Sequence, residues 1–124
     1  MNSNAQLFAE FEKAYLTCGL WAEHGFEDYA RAFLEDHAQV RQEIEQFFME
    51  IRKDQDIYEE VLSRIEDAGH DFWLTRNGEG AGFWSRTGDH EWKYGDSLTK
   101  IASKFPPAHL LETDETGGFT YFSG

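Results

Sequence analysis

Five histidines are the residues in this chain most suited to chemistry, because an imidazole can bind a metal ion or move a proton. The run Asp89, His90 and Glu91, with Asp96 nearby, offers nitrogen and oxygen ligands. No two histidines stand at helical separation and no cysteine pair accompanies them, so the spacing is not that of a metal site. We predict solvated loop side chains here and no metal ligands.

His70 is followed by Asp71, an order in which a carboxylate can orient an imidazole as a general base. A histidine at a junction between a helix and a strand more often hydrogen-bonds its neighbours without catalysis. Cys18 is the only cysteine and falls inside a helical pattern, which favours a small buried side chain over a nucleophile. We predict no catalytic residue and no enzyme activity.

The glycine-rich stretch 78–82 has the composition of a loop that cradles phosphate. It lacks the following helix whose N-terminus would bind the anion, and it lacks a Gly-Lys-Ser/Thr ending. Glu79 would also repel a phosphate group. The stretch therefore predicts a turn, and no cofactor is expected.

The acidic surplus is the next feature with functional meaning. Asp and Glu number 24 against 11 Lys and Arg, which gives a formal net charge of -13. Such a field repels nucleic acid and anionic lipid, so neither is expected as a direct partner. One interpretation is a solvated surface that keeps the protein soluble. The other is a row of carboxylates that imitates the phosphates of a duplex and binds a basic protein surface. The acids predicted to make that contact are Glu43, Glu50, Asp54, Asp56, Glu59, Glu60 and Asp67.

Aromatic residues offer an alternative contact surface. Four of them lie in the second half of the chain: Trp73, Phe83, Trp84 and Trp92. Proteins that stack single-stranded bases combine such rings with a basic groove, and acidic residues outnumber basic ones here. Packing in the core and on a sheet face is therefore favoured. An exposed ring would mark a protein contact, so Trp73 and Trp84 are the contacts expected of an adaptor or structural module.

The first half of the chain carries the spacing of helices. Apolar residues recur at helical intervals over 7–18, 40–51 and 57–65, and a further segment over 26–34 opens with two acids that suit a helix N-terminus. The pattern predicts three to four helices, which form a helical half over 5–68.

Boundary residues refine these helices. Gly19 or Gly25 is predicted to end the first helix. The polar segment 53–56 separates two helices, and Asp54 or Asp56 is predicted to cap the second of them. Gly69 is predicted to end the helical half, because glycine permits the left-handed conformation with which helices often finish.

After Gly69 the sequence pattern changes from helical to strand-like. Residues 71–76 and 80–86 are strand-like, and Asn77 and Gly78 supply a turn pair typical of a β-hairpin. Across this hairpin, Trp73 is expected to lie over the bare backbone of a glycine.

A helix and a second hairpin complete the prediction. Asp96 is expected to cap a short helix that runs to Phe105, before two prolines. Strands are predicted over 109–113 and 119–122. The fold class is therefore α+β, a helical half packed on an antiparallel ββαββ unit over 70–123, in a single domain of 124 residues.

The run from Ala68 to Arg86, AGHDFWLTRNGEGAGFWSR, resembles a family of small acidic proteins carried by bacteriophages and mobile elements. The segment from Ala14 to Trp21 is similar to that family's Ala-Tyr-Leu-x-x-Ala-Leu-Trp segment. Two positions depart from the family pattern, Glu79 where His is usual and Ser85 where Asp is usual. The resemblance implies a phage origin and a shared fold, and it implies no catalytic activity.

Together these observations predict a phage-encoded, non-enzymatic protein of the host cytoplasm. No apolar run approaches the ~20 residues that a membrane span needs. The expected partner is a basic, nucleic-acid-handling host protein, such as a restriction or CRISPR factor that a DNA mimic would block. The alternative is an adaptor that uses its aromatic β-surface.

Overall fold

The computed structural model describes residues 4–25, 37–112 and 118–124. In these ranges the chain forms α-helices, one short 3-10 turn and a two-stranded antiparallel sheet. The elements are α1 (Asn4–His24), α2 (Ala38–Ile51), α3 (Gln55–Ser63), α4 (Ile65–Arg76), the 3-10 turn (Gly88–His90), α5 (Gly95–Ala102), β1 (Ala108–Glu112) and β2 (Phe119–Ser123). The α+β class is confirmed, but these ranges hold two strands and not the four of a ββαββ unit.

The first predicted hairpin is wrong, because residues 65–76 form helix α4. Residues 71–76 are all buried, and the rings of Phe72 and Trp73 pack on residues of α2 and α1. The adjacent aromatic residues of this segment have high strand propensity, and burial against another helix overrides it. The predicted boundary at Gly69 accordingly falls inside α4.

Asn77 and Gly78 end this helix instead of turning a hairpin. Gly78 has φ +63°, and its N–H donates to the carbonyl of Thr75 at 3.2 Å, while the N–H of Glu79 donates to the carbonyl of Leu74 at 3.1 Å. This pair of bonds is the Schellman arrangement that satisfies the last carbonyls of a helix. A glycine with positive φ serves both structures, so the Asn-Gly pair alone does not distinguish them.

Residues 80–86 return across α4 as a loop. The Thr75 hydroxyl accepts a hydrogen bond from the Phe83 N–H at 3.0 Å, and the Ser85 hydroxyl bonds the backbone of Gly82. Gly82 has φ +148°, and a Cβ there would overlap the Thr75 hydroxyl. The loop thereby buries Phe83 and brings Arg86 beside α4.

Helices α1 and α4 pack in close contact through two glycines. A Cβ at Gly69 would overlap the carbonyl oxygen of Phe11, and a Cβ at Gly19 would lie 2.7 Å from the ring of Trp73. Position 69 of α4 thus lies beside position 11 of α1, and position 73 beside position 19. Helix α4 therefore advances in the same general direction as α1.

The remaining boundaries follow the predictions in part. Helix α1 continues through Gly19 to His24, and Gly25 follows with φ +76°. Asp54 caps α3, since its carboxylate accepts hydrogen bonds from the N–H groups of Asp56 and Ile57. The helix predicted over 26–34 lies outside the described residues.

The final hairpin is confirmed, with Leu110 paired to Tyr121 at its centre. Residue 113, the predicted end of the first strand, lies outside the described residues. The preceding helix, α5, starts at Gly95 and stops at Ala102, so the prediction that Asp96 caps it and that it runs to Phe105 is wrong at both ends. The hairpin lies against the end of α4, because the side-chain oxygen of Asn77 accepts the Ala108 N–H at 2.8 Å.

Aromatic rings from three helices form the centre of the core. Phe47 of α2 stacks on Phe72 of α4 with ring centroids 4.4 Å apart, and Phe11 of α1 lies 5.6 Å from Phe47. Phe83 lies on another side of Phe47 at 6.1 Å. These rings hold α1 and α4 in fixed positions relative to each other, and a groove lies between the two helices.

Candidate functional site

A groove of about 880 Å³ runs along the outer side of the α1–α4 contact. Helix α1 lines it with Glu10, Lys13, Ala14, Thr17, Cys18 and Trp21. The opposite wall consists of Glu66, Asp67 and His70 from α4, together with Arg86 from the following loop. Because α4 advances in the same direction as α1 and Gly69 lies beside Phe11, Glu66 lies toward the end of the groove that holds Glu10, and Trp21 lies at the other end.

Trp21 is the large apolar side chain at the rim of the groove. Trp21 is 52% exposed, although a residue of this size is usually mostly buried in a folded protein. The neighbouring Cys18 is buried, and burial together with the charges of Asp71 and Glu79 raises the pKa of its thiol to about 12. The thiol therefore stays protonated near neutral pH and is a poor nucleophile.

His70 faces the groove and is oriented by Asp71. The ring atom Nδ1 of His70 lies 3.2 Å from Oδ1 of Asp71, whose side chain is only 2% exposed. The arrangement has the geometry of a carboxylate that fixes an imidazole for proton transfer. Asp89, the acid considered with a nearby histidine as a metal ligand, is exposed in the 3-10 turn and does not line the groove.

Asp71 is also bound by two other side chains. Arg86 donates through Nε at 2.6 Å and through Nη2 at 3.0 Å, and the indole N–H of Trp92 donates at 2.7 Å. Burial raises the pKa of Asp71, but the hydrogen bonds from His70, Arg86 and Trp92 outweigh burial and hold that pKa below its ordinary value. The carboxylate is thus ionised, and it neutralises Arg86 at the edge of the groove.

Among the acids that the sequence predicts to contact a partner, Glu43 has an internal position. Its side chain is 13% exposed and accepts hydrogen bonds from Arg76 at 2.8 Å and from the hydroxyls of Tyr121 and Ser123. Arg76 itself is buried and also donates to Tyr15 and to the carbonyl of Pro106. Glu43 therefore joins α2 to α4 and β2.

Glu60 and Asp67 also bind groups of the same chain. Glu60 accepts the backbone N–H groups of Lys93 at 2.6 Å and Tyr94 at 3.0 Å, which ties α3 to the start of α5. Asp67 lines the groove and forms an ion pair with Arg64 at 3.1 Å and a longer one with Arg86 at 3.6 Å.

The other predicted contacts differ in accessibility. Glu50 pairs with Lys53 and Lys104, and Asp54 is the cap of α3. Asp56 and Glu59 are exposed on α3. Trp84 is 54% exposed, whereas Trp73 is fully buried and has no surface to offer a partner. The predicted set is therefore divided between structural and exposed positions, and only Asp67 lies in the groove.

Sequence reasoning did not find Glu10, Trp21, Glu66 or the role of Arg86. A signal for the α1 wall exists, since its groove residues recur every three or four positions on a face that borders that of Phe11 and Tyr15. In the other wall, the position of Arg86 was hidden, because the predicted hairpin placed residues 80–86 in a strand.

Within the described ranges, no group of three or more His, Cys, Asp or Glu residues is placed to hold a metal ion. None of the helices in those ranges is both long and apolar enough to cross a membrane.

Comparisons with protein-family models, with curated proteins and with solved structures gave no match for the chain. The resemblance of Ala68–Arg86 to acidic phage proteins therefore stays a prediction.

Proposed function

We propose that this protein is a non-enzymatic binding protein that receives a segment of a basic protein partner in the groove between α1 and α4. The observation that carries this proposal is the half-exposed ring of Trp21 at one end of an open groove whose other end holds the carboxylates of Glu10 and Glu66. Among the described residues, neither carboxylate has an ion-pair partner within 4 Å.

Trp21 supplies the contact area that such an interface needs. Tryptophan is enriched among the few residues that contribute most of the binding energy of protein interfaces. Its ring also attracts Lys and Arg side chains through the cation–π interaction. The ring is supported by a helix whose opposite face is buried, so little ordering is required when a partner binds.

The charge of the molecule favours a basic partner. A net charge of -13 creates a long-range attraction for cations that accelerates encounter and weakens as salt is added. Exposed acids outside the groove, such as Asp56 and Glu59, contribute to this attraction without direct contact. A row of duplex-like carboxylates on α2 and α3 is less well supported, because Glu43 and Glu60 are occupied by groups of the chain itself.

Catalysis is not part of the proposal. The groove thiol is held protonated, and the carboxylate beside His70 is already bound by Arg86 and Trp92. The narrower proposals are that the protein comes from a phage, acts in the host cytoplasm and blocks a nucleic-acid-handling protein. They rest on the sequence resemblance and the charge alone.

Two tryptophans give a matched test of the proposed site. Trp21 and Trp84 are exposed to the same extent, but only Trp21 lines the groove. Proteins captured from a bacterial lysate at low salt would be identified, and the purified partner would be titrated by calorimetry. Trp21→Ala is expected to weaken binding by about 10-fold or more, and Trp84→Ala by less than about 2-fold.

The reverse result would support a different function. Loss of binding in Trp84→Ala, with Trp21→Ala unchanged, would favour the adaptor that uses its exposed aromatic surface. Equal affinities for all three proteins would reject both sites.

A further inference from the structure

We infer that the groove takes an extended peptide segment of about five residues, with a Lys or Arg side chain between Glu10 and Glu66 and a large apolar side chain against Trp21. This inference rests on the proposed function and specifies its ligand. It follows from the length of the groove, from the charges at one end and from the apolar surface at the other.

The length follows from α1. Glu10 and Trp21 are eleven positions apart on a helix that rises ~1.5 Å per residue, so the groove is about 16 Å long. An extended chain advances ~3.3 Å per residue, and about five residues span that distance.

One end of the groove is suited to a cation. Glu10 and Glu66 lie at this end, and Asp67 forms ion pairs with Arg64 and Arg86. Lys13 is the cation of α1 at this end, and among the described residues neither Glu10 nor Glu66 has an ion-pair partner within 4 Å. A Lys or Arg side chain from the ligand would complete the charge balance.

The charge of Arg86 does not oppose a cationic ligand. Its guanidinium binds the carboxylate of Asp71 through two nitrogens, at 2.6 and 3.0 Å. Because this pair is close and partly buried, each charge screens the other from the groove.

The other end is suited to an apolar side chain. Trp21 presents its ring beside the buried, uncharged thiol of Cys18. Between the ends, Ala14 and Thr17 are small, which lets the backbone of an extended segment lie close to α1. The hydroxyl of Thr17 is available as a hydrogen-bond donor or acceptor for that backbone.

Short peptides test this inference on the full-length chain. The probes are acetyl-Arg-Ser-Ala-Ser-Phe-amide and the same residues in reverse order, because the inference fixes the two end side chains and not the direction of the peptide. The controls replace Arg by Glu or Phe by Ala. Binding would be followed by ¹H–¹⁵N NMR at peptide concentrations up to about 5 mM.

One of the two Arg and Phe probes is expected to bind at least about 10-fold more tightly than either control. The shifts should include the amides of Glu10 and Thr17 and the indole N–H of Trp21. Glu66→Gln should weaken binding of that probe by about 3-fold or more, whereas Glu59→Gln, an equal loss of charge on exposed α3, should change it by less than about 1.5-fold.

Three outcomes would overturn the inference: equal binding of the Glu control, equal binding of the Ala control, or no binding of any peptide. The proposed function is judged separately, by the loss of partner binding in Trp21→Ala. If that loss occurs while the peptides show no end preference, only the ligand assignment fails. If Trp21→Ala keeps full partner binding, the proposed function fails whatever the peptides do.

Discussion

At the scale of single residues, Asp71 links the groove to the interior. Its buried carboxylate accepts hydrogen bonds from Arg86 and Trp92 and orients His70. Arg64 stacks on the ring of Trp92 at 4.0 Å from its centroid and so extends the cluster to the start of α4. One carboxylate therefore holds together α4, the loop after it and the segment before α5.

Asp71→Asn should destabilise the protein. The amide keeps the shape of the side chain but removes the charge opposite Arg86 and turns N–H donors toward existing donors. We expect the free energy of unfolding, measured with urea, to fall by about 2–4 kcal/mol. Asp89→Asn, at an exposed position, should change it by less than about 0.5 kcal/mol. A change below about 1 kcal/mol for Asp71→Asn would show that the cluster contributes little.

Acid should weaken the fold through Asp71 and Glu43. Burial raises the pKa of each carboxyl, but hydrogen bonds from their neighbours hold both below their ordinary values of 3.8 and 4.5. Because the folded-state pKa is the lower one, the stabilisation is fully present above the unfolded-state value and is lost as pH falls through the folded-state value. We expect these groups to add no pH dependence between about pH 7 and pH 6, and to reduce stability below about pH 4.

The contribution of Glu43 to this pH dependence of stability can be measured with Glu43→Gln. The variant should be less stable than the parent at pH 7, and its unfolding free energy should decline less steeply between about pH 4.5 and pH 2.5. An unchanged slope would show that Glu43 is not one of the groups responsible.

At the scale of elements, the contact between α1 and α4 depends on Gly69. In an isolated helix, alanine is favoured over glycine by about 1 kcal/mol. In this protein, a Cβ at position 69 would overlap the Phe11 carbonyl, which belongs to the backbone and cannot rotate away. The two effects have opposite signs, so stability measurements decide between them.

Gly69→Ala should lower the free energy of unfolding by about 2 kcal/mol or more, because the helices must separate. The measurement is urea unfolding monitored by circular dichroism. Gln46→Ala, at an exposed position of α2, should leave stability equal or slightly higher. A stabilised Gly69→Ala protein would contradict the close contact between the helices.

Helices α1, α2 and α3 and the final hairpin were predictable, because local patterns define them. The stripe that contains Phe47 has a helical period, and the last strands alternate buried and exposed residues. Helix α4 was not predictable in the same way. Its aromatic residues favour a strand locally, and the contact with α1 through Gly19 and Gly69 that favours a helix joins distant parts of the sequence.

Prediction of the candidate site was limited because the sequence pattern did not predict helix α4. His70 and Asp71 were recognised as a potential pair from their adjacency, and the structure places them in hydrogen-bond contact. The partnership of Asp71 with Arg86 and Trp92 spans 15 and 21 positions, so it required knowledge of the loop that follows α4. Trp21 belongs to the periodic α1 positions, but its exposure was not predicted, since an aromatic residue in an amphipathic helix is usually buried.

At the scale of the whole molecule, the acidic side chains have several different roles. Glu43 and Glu60 bind groups of the chain, Asp54 caps a helix, and Asp56 and Glu59 face solvent. The net charge of -13 nevertheless remains, and it attracts basic partners over a long range. We propose that a basic partner attracted by this charge makes its direct contact in the groove.

Photo-crosslinking tests that central claim most directly. A benzophenone amino acid would replace Lys13, which is exposed in the groove, and in a separate protein Thr120, which is exposed on β2. We predict that the basic partner crosslinks at position 13 and not at position 120, and that adding Trp21→Ala abolishes the crosslink. Crosslinking at position 120 alone, or equally at both positions, would contradict the account.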